Sequence, residues 1–513
     1  MFGSVDRPSG PPDCSCGPLD AGGVVQLAGR LRCLSPVPRR LGSGPVPATQ
    51  PSAAELVDQL SALEQLKSAA AAAQARVSAA LDESVRAERA ARGLPDRERG
   101  RGVAAQVALA RRESAHRGGR HLGLATALVR EMPHTLAALE AGRLSEWRAT
   151  LLVRETACLG REDRSTVDRE LCADPAVLDG MGDRAVAAMA GRIAYRLDPH
   201  AALARTSRAG KDRRVTLRPA PDTMGRLAGL VPVAQAVAAL AALRRAADEA
   251  RASGDPRSRD QVMADTFVER LTGQATAAGV PISVGLVMTD ATMLHGDDEP
   301  AFLAGFGPVP ATWARAVLRP ARFAMSRPDL VAAAPSKTGK PSAAPAMAPV
   351  AHEAQVWLRR FFADPETGEL VSMESKARDF PPPLRGFLVA RDQVCRTPWC
   401  DAPIRHTDHA RRAADGGPTS ADNGQGLCER CNYDKDSPGW SSRPAPPSRP
   451  GRHRVVTTTP TGHSYVSRPP PQPGGPLSRL DRIRRLGGRG HTRSPGTMDV
   501  AFARLLDEQE LAG

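Results

Sequence analysis

The chain has 513 residues, enough for two to four domains and a sizeable core, which excludes a small disulfide-stapled scaffold. Its 70 Lys and Arg against 56 Asp and Glu give a formal charge of +14, pointing to polyanionic partners over acidic small substrates. Only six of those cations are lysine in a chain rich in Ala, Gly and Pro, a compositional bias that weakens the inference from charge alone.

No stretch of about 18 uncharged apolar residues occurs, so no membrane span is expected. The first twenty residues lack a basic segment followed by an apolar one, so the expected location is the cytoplasm, where thiols stay reduced. Residues 1–50 are Pro-, Gly-, Ser- and Arg-rich without periodicity and read as disordered. From Ser52, Leu56, Leu60, Leu63 and Leu66 recur at intervals of three and four, continuing to Val77, Leu81 and Val85, and predict a long amphipathic helix. Further helices are expected around 103–111, 121–140, 144–160, 184–196, 223–252 and 259–273. Gly118-Gly119, Asp198-Pro199 and Gly254-Asp255-Pro256 are expected to act as breakers. Strands are expected at 214–217 and 282–288. Residues 51–325 thus form a mainly helical domain with a few strands, and 326–352 a Pro/Ala-rich linker. Gly339-Lys340 in that linker is no phosphate loop, because Ala334 and Pro341 stand where Gly and Ser or Thr are needed. Residues 353–440 form a small α+β module with its core at 391–440, and 441–498 a basic tail expected to lack structure. The tail holds eleven Arg against one Asp, and 499–513 one short helix.

The chemistry concentrates in the module. Cys395-x4-Cys400 and Cys428-x2-Cys431 are separated by 27 residues, a spacing suited to two knuckles over one tetrahedral Zn²⁺. Four thiolates close the coordination sphere, so this zinc is expected to be structural. Between and after the pairs lie Asp408, His409, Asn423, Asn432 and Lys435. A histidine titrating near neutrality can take a proton from water, and Asp and Asn oxygens suit a hard ion such as Mg²⁺ or Mn²⁺. The turn Asp415-Gly416-Gly417-Pro418 would let the strands carrying His409 and Asn423 fold back on each other.

The form D-H-x13-N…L-C-x2-C-N-x2-K resembles the HNH endonucleases, whose ββα-metal site hydrolyses DNA. By that resemblance His409 is the general base and Asn423 fixes the hairpin. Asp408 and Asn432 hold a catalytic Mg²⁺ or Mn²⁺, Asn432 standing where the named motif has histidine. Lys435, Arg411 and Arg412 are candidate contacts to phosphate, in DNA or RNA. The N-terminal part resembles the domain of unknown function 222 in Ala141–Ala149 (AGRLSEWRA), Leu197-Asp198-Pro199, Arg257/Asp260/Asp265 and Gly305-x-Gly307-Pro308, and further on in Asp364–Gly368 and Phe380–Asp392. The implied function is a metal-dependent endonuclease. The rival readings are a zinc-containing nucleic-acid-binding module without catalysis, or a mobile-element regulator whose nuclease is vestigial.

Overall fold

A computed structural model describes residues 22–24, 26, 52–274, 286–318, 374–375, 379–445 and 453–470. The expected linker, residues 353–373, the C-terminal helix and most of the N-terminal segment lie outside the described residues.

The first long helix, Ala53–Ala91, begins at Ser52 because a capping box closes there: Ser52 Oγ accepts from Glu55 N at 3.2 Å and Glu55 Oε2 from Ser52 N at 2.6 Å. Its core face follows the predicted spacing only in part: Val85 is buried and Leu56, Leu66 and Leu81 are half-buried, but Leu60, Leu63 and Val77 are exposed, whereas Ala71, Ala72, Ala75 and Ala79 are buried. Alanine wins because small side chains let the helices Ala115–Glu131 and Pro133–Glu140 approach closely, with Leu128 and Leu139 in the same core cluster.

Helix Val103–Arg111 occupies the predicted span. Gly118 and Gly119, expected to break a helix, lie inside Ala115–Glu131, which is capped by Ser114. At Gly118 a Cβ would stand 2.3 Å from Ala104 O and 2.5 Å from Ala108 Cβ, so this glycine serves close helix packing and not a break. Helix Arg161–Cys172 was not anticipated from the sequence; its buried Asp168 accepts from His134 N, Thr135 N and Thr135 Oγ, capping helix Pro133–Glu140. Asp198 separates helices Asp183–Leu197 and Pro199–Ala209 and caps the second through Ala201 N, as the Asp-Pro pair implies.

The helix expected over 223–252 starts late. Residues Met224–Leu230 instead pair antiparallel with Arg214–Ala220, and helix Val233–Ala252 follows Pro232. The turn places Asp222 and Thr223 at positive φ, and Gly225 and Gly229 favour extended chain over helix. Beyond helix Arg259–Thr272, strands Leu286–Val287, Ala301–Leu303 and Gly307–Val309 form an antiparallel sheet against helix Ala311–Leu318 around Ala301, Val309 and Ala314. Residues 282–285 of the predicted strand lie outside the described set.

In the C-terminal part, helix Pro382–Asp392 buries Leu384, Phe387 and Leu388 beside Phe380. Strands His406–His409 and Gly424–Leu427 pair antiparallel, with His409 opposite Gly424, and helix Glu429–Lys435 follows directly. The expectation of an unstructured 441–498 fails for its first part. Ser441–Pro444, Val455–Thr458 and Ser464–Ser467 form a three-stranded antiparallel sheet. Its β-branched Val455-Val456-Thr457-Thr458 run outweighs the surrounding Pro and Arg. The helical and C-terminal parts touch: Trp440 packs on Ala105 and Leu109, and Arg89 Nη2 donates to Pro438 O at 3.3 Å. Among the described residues no helix is long and apolar enough to cross a membrane.

Candidate functional site

The four clustered cysteines converge. Their sulfurs lie within 4.8 Å of one another, with Cys400 Sγ 3.7 Å from Cys428 Sγ and 3.5 Å from Cys431 Sγ. Thiolates at about 2.3 Å from one ion in a tetrahedron stand about 3.8 Å apart, so the spacing suits a metal such as zinc. Local sequence builds the two knuckles. Trp399 takes positive φ in the turn before Cys400, and Cys428 caps helix Glu429–Lys435 with its sulfur accepting from Cys431 N at 3.4 Å. Hydrogen bonds from Cys395, Cys400 and Cys431 drive the Cys428 thiol far below its ordinary range, while those to Cys395, Cys400 and Cys428 drive Cys431 up. Protons shared this way are displaced when a divalent ion binds all four sulfurs.

The hairpin beside this cluster assembles most of the residues singled out from sequence. His409 is buried. Its Nε2 lies 2.9 Å from Thr419 Oγ1, its ring 4.6 Å from that of Phe380, and its Nδ1 3.7 Å from Asp408 Oδ1. Burial lowers its pKa first, and Lys435 lowers it further, outweighing the nearby Asp408 carboxylate, so the ring is neutral at pH 7. Asn423 bridges the loop: Oδ1 accepts from Arg411 N at 2.8 Å, and Nδ2 donates to Arg411 O at 2.9 Å and Pro418 O at 2.8 Å. The loop between the two strands is thereby fixed by one side chain.

Asp408 Oδ1 accepts from His409 N at 2.8 Å, and Oδ2 pairs with Lys435 Nζ at 2.7 Å. Asn432 lies on the same helix face as Lys435, three residues earlier, and its buried Oδ1 has no hydrogen-bond partner among the described residues. A buried oxygen without a partner is free to accept from a donor or to meet a cation. The three expected phosphate contacts divide. Arg411 is exposed, whereas Arg412 Nε pairs with Asp436 Oδ1 at 3.2 Å. Lys435 is buried and held by Asp408, so in this arrangement its ammonium does not project toward solvent.

Sequence reasoning missed Thr419 and Phe380 as partners of His409, and the buried set Arg391, Asp392, Arg396 and His453. Asp392 accepts from Arg391 Nε at 2.7 Å, Arg396 Nη1 at 2.8 Å and Gly426 N at 2.7 Å, tying the helix Pro382–Asp392 to the hairpin. Burial alone would raise its pKa, but Arg391 and Arg396 hold the carboxyl below the usual range. The spacing Arg391-Asp392-x3-Arg396 carries a signal for such a network, whereas His453 sits in text resembling a tail.

The model of a family described as a domain of unknown function, DUF222, matches residues 65–352, more than half of the chain. The chain belongs to the DUF222 family. Neither a curated protein nor a solved structure matches it. The DUF222 match ends before Cys395, so the cysteine cluster and the hairpin lie C-terminal to it. The motifs within the DUF222 region do structural work. Trp147 Nε1 and Arg148 Nε both donate to Asp183, Arg257 pairs with Asp265, and Gly305 turns the chain at positive φ between two strands, the second of which begins at Gly307. The DUF222 region also abuts the cysteines: Ala115 packs with Cys395, Cys400, Cys431 and Leu427, and a Cβ at Gly119 would meet the Arg430 guanidinium at 2.7 Å.

Proposed function

We propose that this DUF222 protein is an HNH-type endonuclease that hydrolyses DNA phosphodiester bonds, with a structural zinc on Cys395, Cys400, Cys428 and Cys431. The observation that supports the reading is the strand, strand, helix order in which Asp408 and His409 share one strand, Asn423 ties the loop that follows them, and Lys435, one helical turn after Asn432, pairs with Asp408. Asp408 and Asn432 are the residues that would hold Mg²⁺ or Mn²⁺, and such an ion supplies stabilisation of the charge that develops on phosphate and leaving oxygen. The chain's own residues supply the rest. His409 is neutral, and in the tautomer in which Nε2–H donates to Thr419 its Nδ1, 3.7 Å from Asp408 Oδ1, would be the basic nitrogen. Thr419 and Phe380 fix the ring plane, and Asn423 holds the loop that follows His409. Arg411, which is exposed, is the residue that would meet a phosphate backbone.

The second reading, a zinc-containing nucleic-acid-binding protein without catalysis, draws on Lys435, whose ammonium already neutralises Asp408. A supercoiled-plasmid nicking assay with Mg²⁺, Mn²⁺ or chelator, on wild type and His409→Ala, separates the two.

A further inference from the structure

Asp408 faces two claims. The hydrolytic reading, on which this inference rests, gives it to a divalent ion, yet its Oδ2 is 2.7 Å from Lys435 Nζ. Lys435 is 7% exposed, and its ammonium also donates to His409 O at 3.3 Å. The other carboxylate within reach, Asp436 Oδ1 at 3.5 Å, is engaged by Arg412 Nε at 3.2 Å. Asp408 is therefore the principal counter-charge of a buried lysine. Removing one partner of a buried ion pair leaves a charge strongly penalised by desolvation. A divalent ion that takes Asp408 removes that partner and sets two further positive charges beside the ammonium.

We propose that Lys435 is a displaceable counter-cation that keeps Asp408 closed to metal until a phosphodiester arrives to accept the ammonium. Helix position supports the exchange: Asn432 and Lys435 share one face, so a phosphate bound next to Asn432 lies within reach of the lysine side chain. Metal and phosphate then bind with positive, reciprocal coupling, because each relieves the charge imbalance the other creates. Without nucleic acid the hairpin site takes up metal weakly. A lysine serving only the fold would produce no such coupling.

The test uses the full chain with its cysteine site loaded with zinc. Mn²⁺ is titrated and free Mn²⁺ read by electron paramagnetic resonance for wild type, Lys435→Met and Lys435→Arg, with and without dimethyl phosphate as a phosphodiester probe. The Met variant should bind Mn²⁺ at least tenfold more tightly than wild type, and the Arg variant should match wild type. Dimethyl phosphate should tighten Mn²⁺ binding to wild type and leave the Met variant unchanged. Equal or weaker Mn²⁺ binding by a Met variant that retains zinc and its circular dichroism overturns the proposal. Should the Met variant not fold, Lys435→Gln takes its place under the same criterion. Equal binding with plasmid nicking intact removes only the role of the lysine; no Mn²⁺ binding in any protein together with no nicking removes the hydrolytic reading as well.

Discussion

Arg396 Nη1 lies 3.2 Å from His453 Nδ1, joining two residues 57 positions apart in the chain. Arginine only donates, so Nδ1 accepts and the proton sits on Nε2, which donates to Asp422 O at 2.6 Å. The three-stranded sheet is anchored to the module through this neutral histidine and through Arg396 Nη2, which donates to Ser467 O at 3.1 Å.

Acid stability should report on that arrangement. Burial, then Arg391 and Arg396, push the pKa of His453 down to about 3, so the unfolded chain binds a proton near pH 6.5 that the folded chain refuses. Stability from this group is complete above pH 6.5 and is lost as pH falls toward 3. Between pH 6.5 and 5.5 the loss is about 1 kcal/mol. Urea denaturation across that interval should show a smaller loss for His453→Gln than for wild type; identical pH dependence would contradict the assignment of a neutral, buried ring.

Removing a cysteine should affect more than the metal. Cys431 and Cys395 pack with Leu427 and with Ala115 of the helical region, so the cluster is also part of the contact between the two parts. Cys428→Ser should lose bound zinc, measured by atomic emission, and lower the melting temperature by several degrees, with faster proteolysis in the module. A soluble Cys428→Ser protein with its full metal content and unchanged melting would contradict four-thiolate binding.

The two outcomes of the sequence reading have physical reasons. The cysteine cluster was legible because metal-ligand spacing is local in sequence, and Asp408, His409 and Asn423 fall within one hairpin whose loop Asn423 ties. The core face of the helix Ala53–Ala91 was legible only in part because leucine spacing marks a face only where that face is covered; Val85 is buried, but Leu60 and Val77 face solvent and alanines are covered instead. Met224–Leu230 was misread because alanine and leucine content masked two glycines and a left-handed turn at Asp222 and Thr223. His453 was illegible because its partners, Arg391 and Arg396, are far away in sequence and its neighbours are proline and arginine.

Two glycines of one helix should respond oppositely to the same change. At Gly118 a Cβ would meet the Ala104 carbonyl and Ala108, whereas at Gly123 nothing lies within 4 Å. Gly118→Ala should cost about 1–3 kcal/mol through overpacking. Gly123→Ala should stabilise by up to about 1 kcal/mol, since alanine lowers the entropy cost of helix formation. Thermal melts of the two variants against wild type check the pair; equal effects would contradict the close packing of Ala115–Glu131 on Val103–Arg111.

The most direct test of the account is nicking of supercoiled plasmid by the zinc-loaded protein. Wild type should convert the substrate to open circle with Mg²⁺ or Mn²⁺, lose activity with chelator, and slow on the acid side of a pKa below 6.5, where His409 takes a proton. His409→Ala should reduce the rate by at least about a hundredfold with zinc content and melting unchanged. Nicking by His409→Ala at the wild-type rate would contradict the assigned base and with it the hydrolytic mechanism.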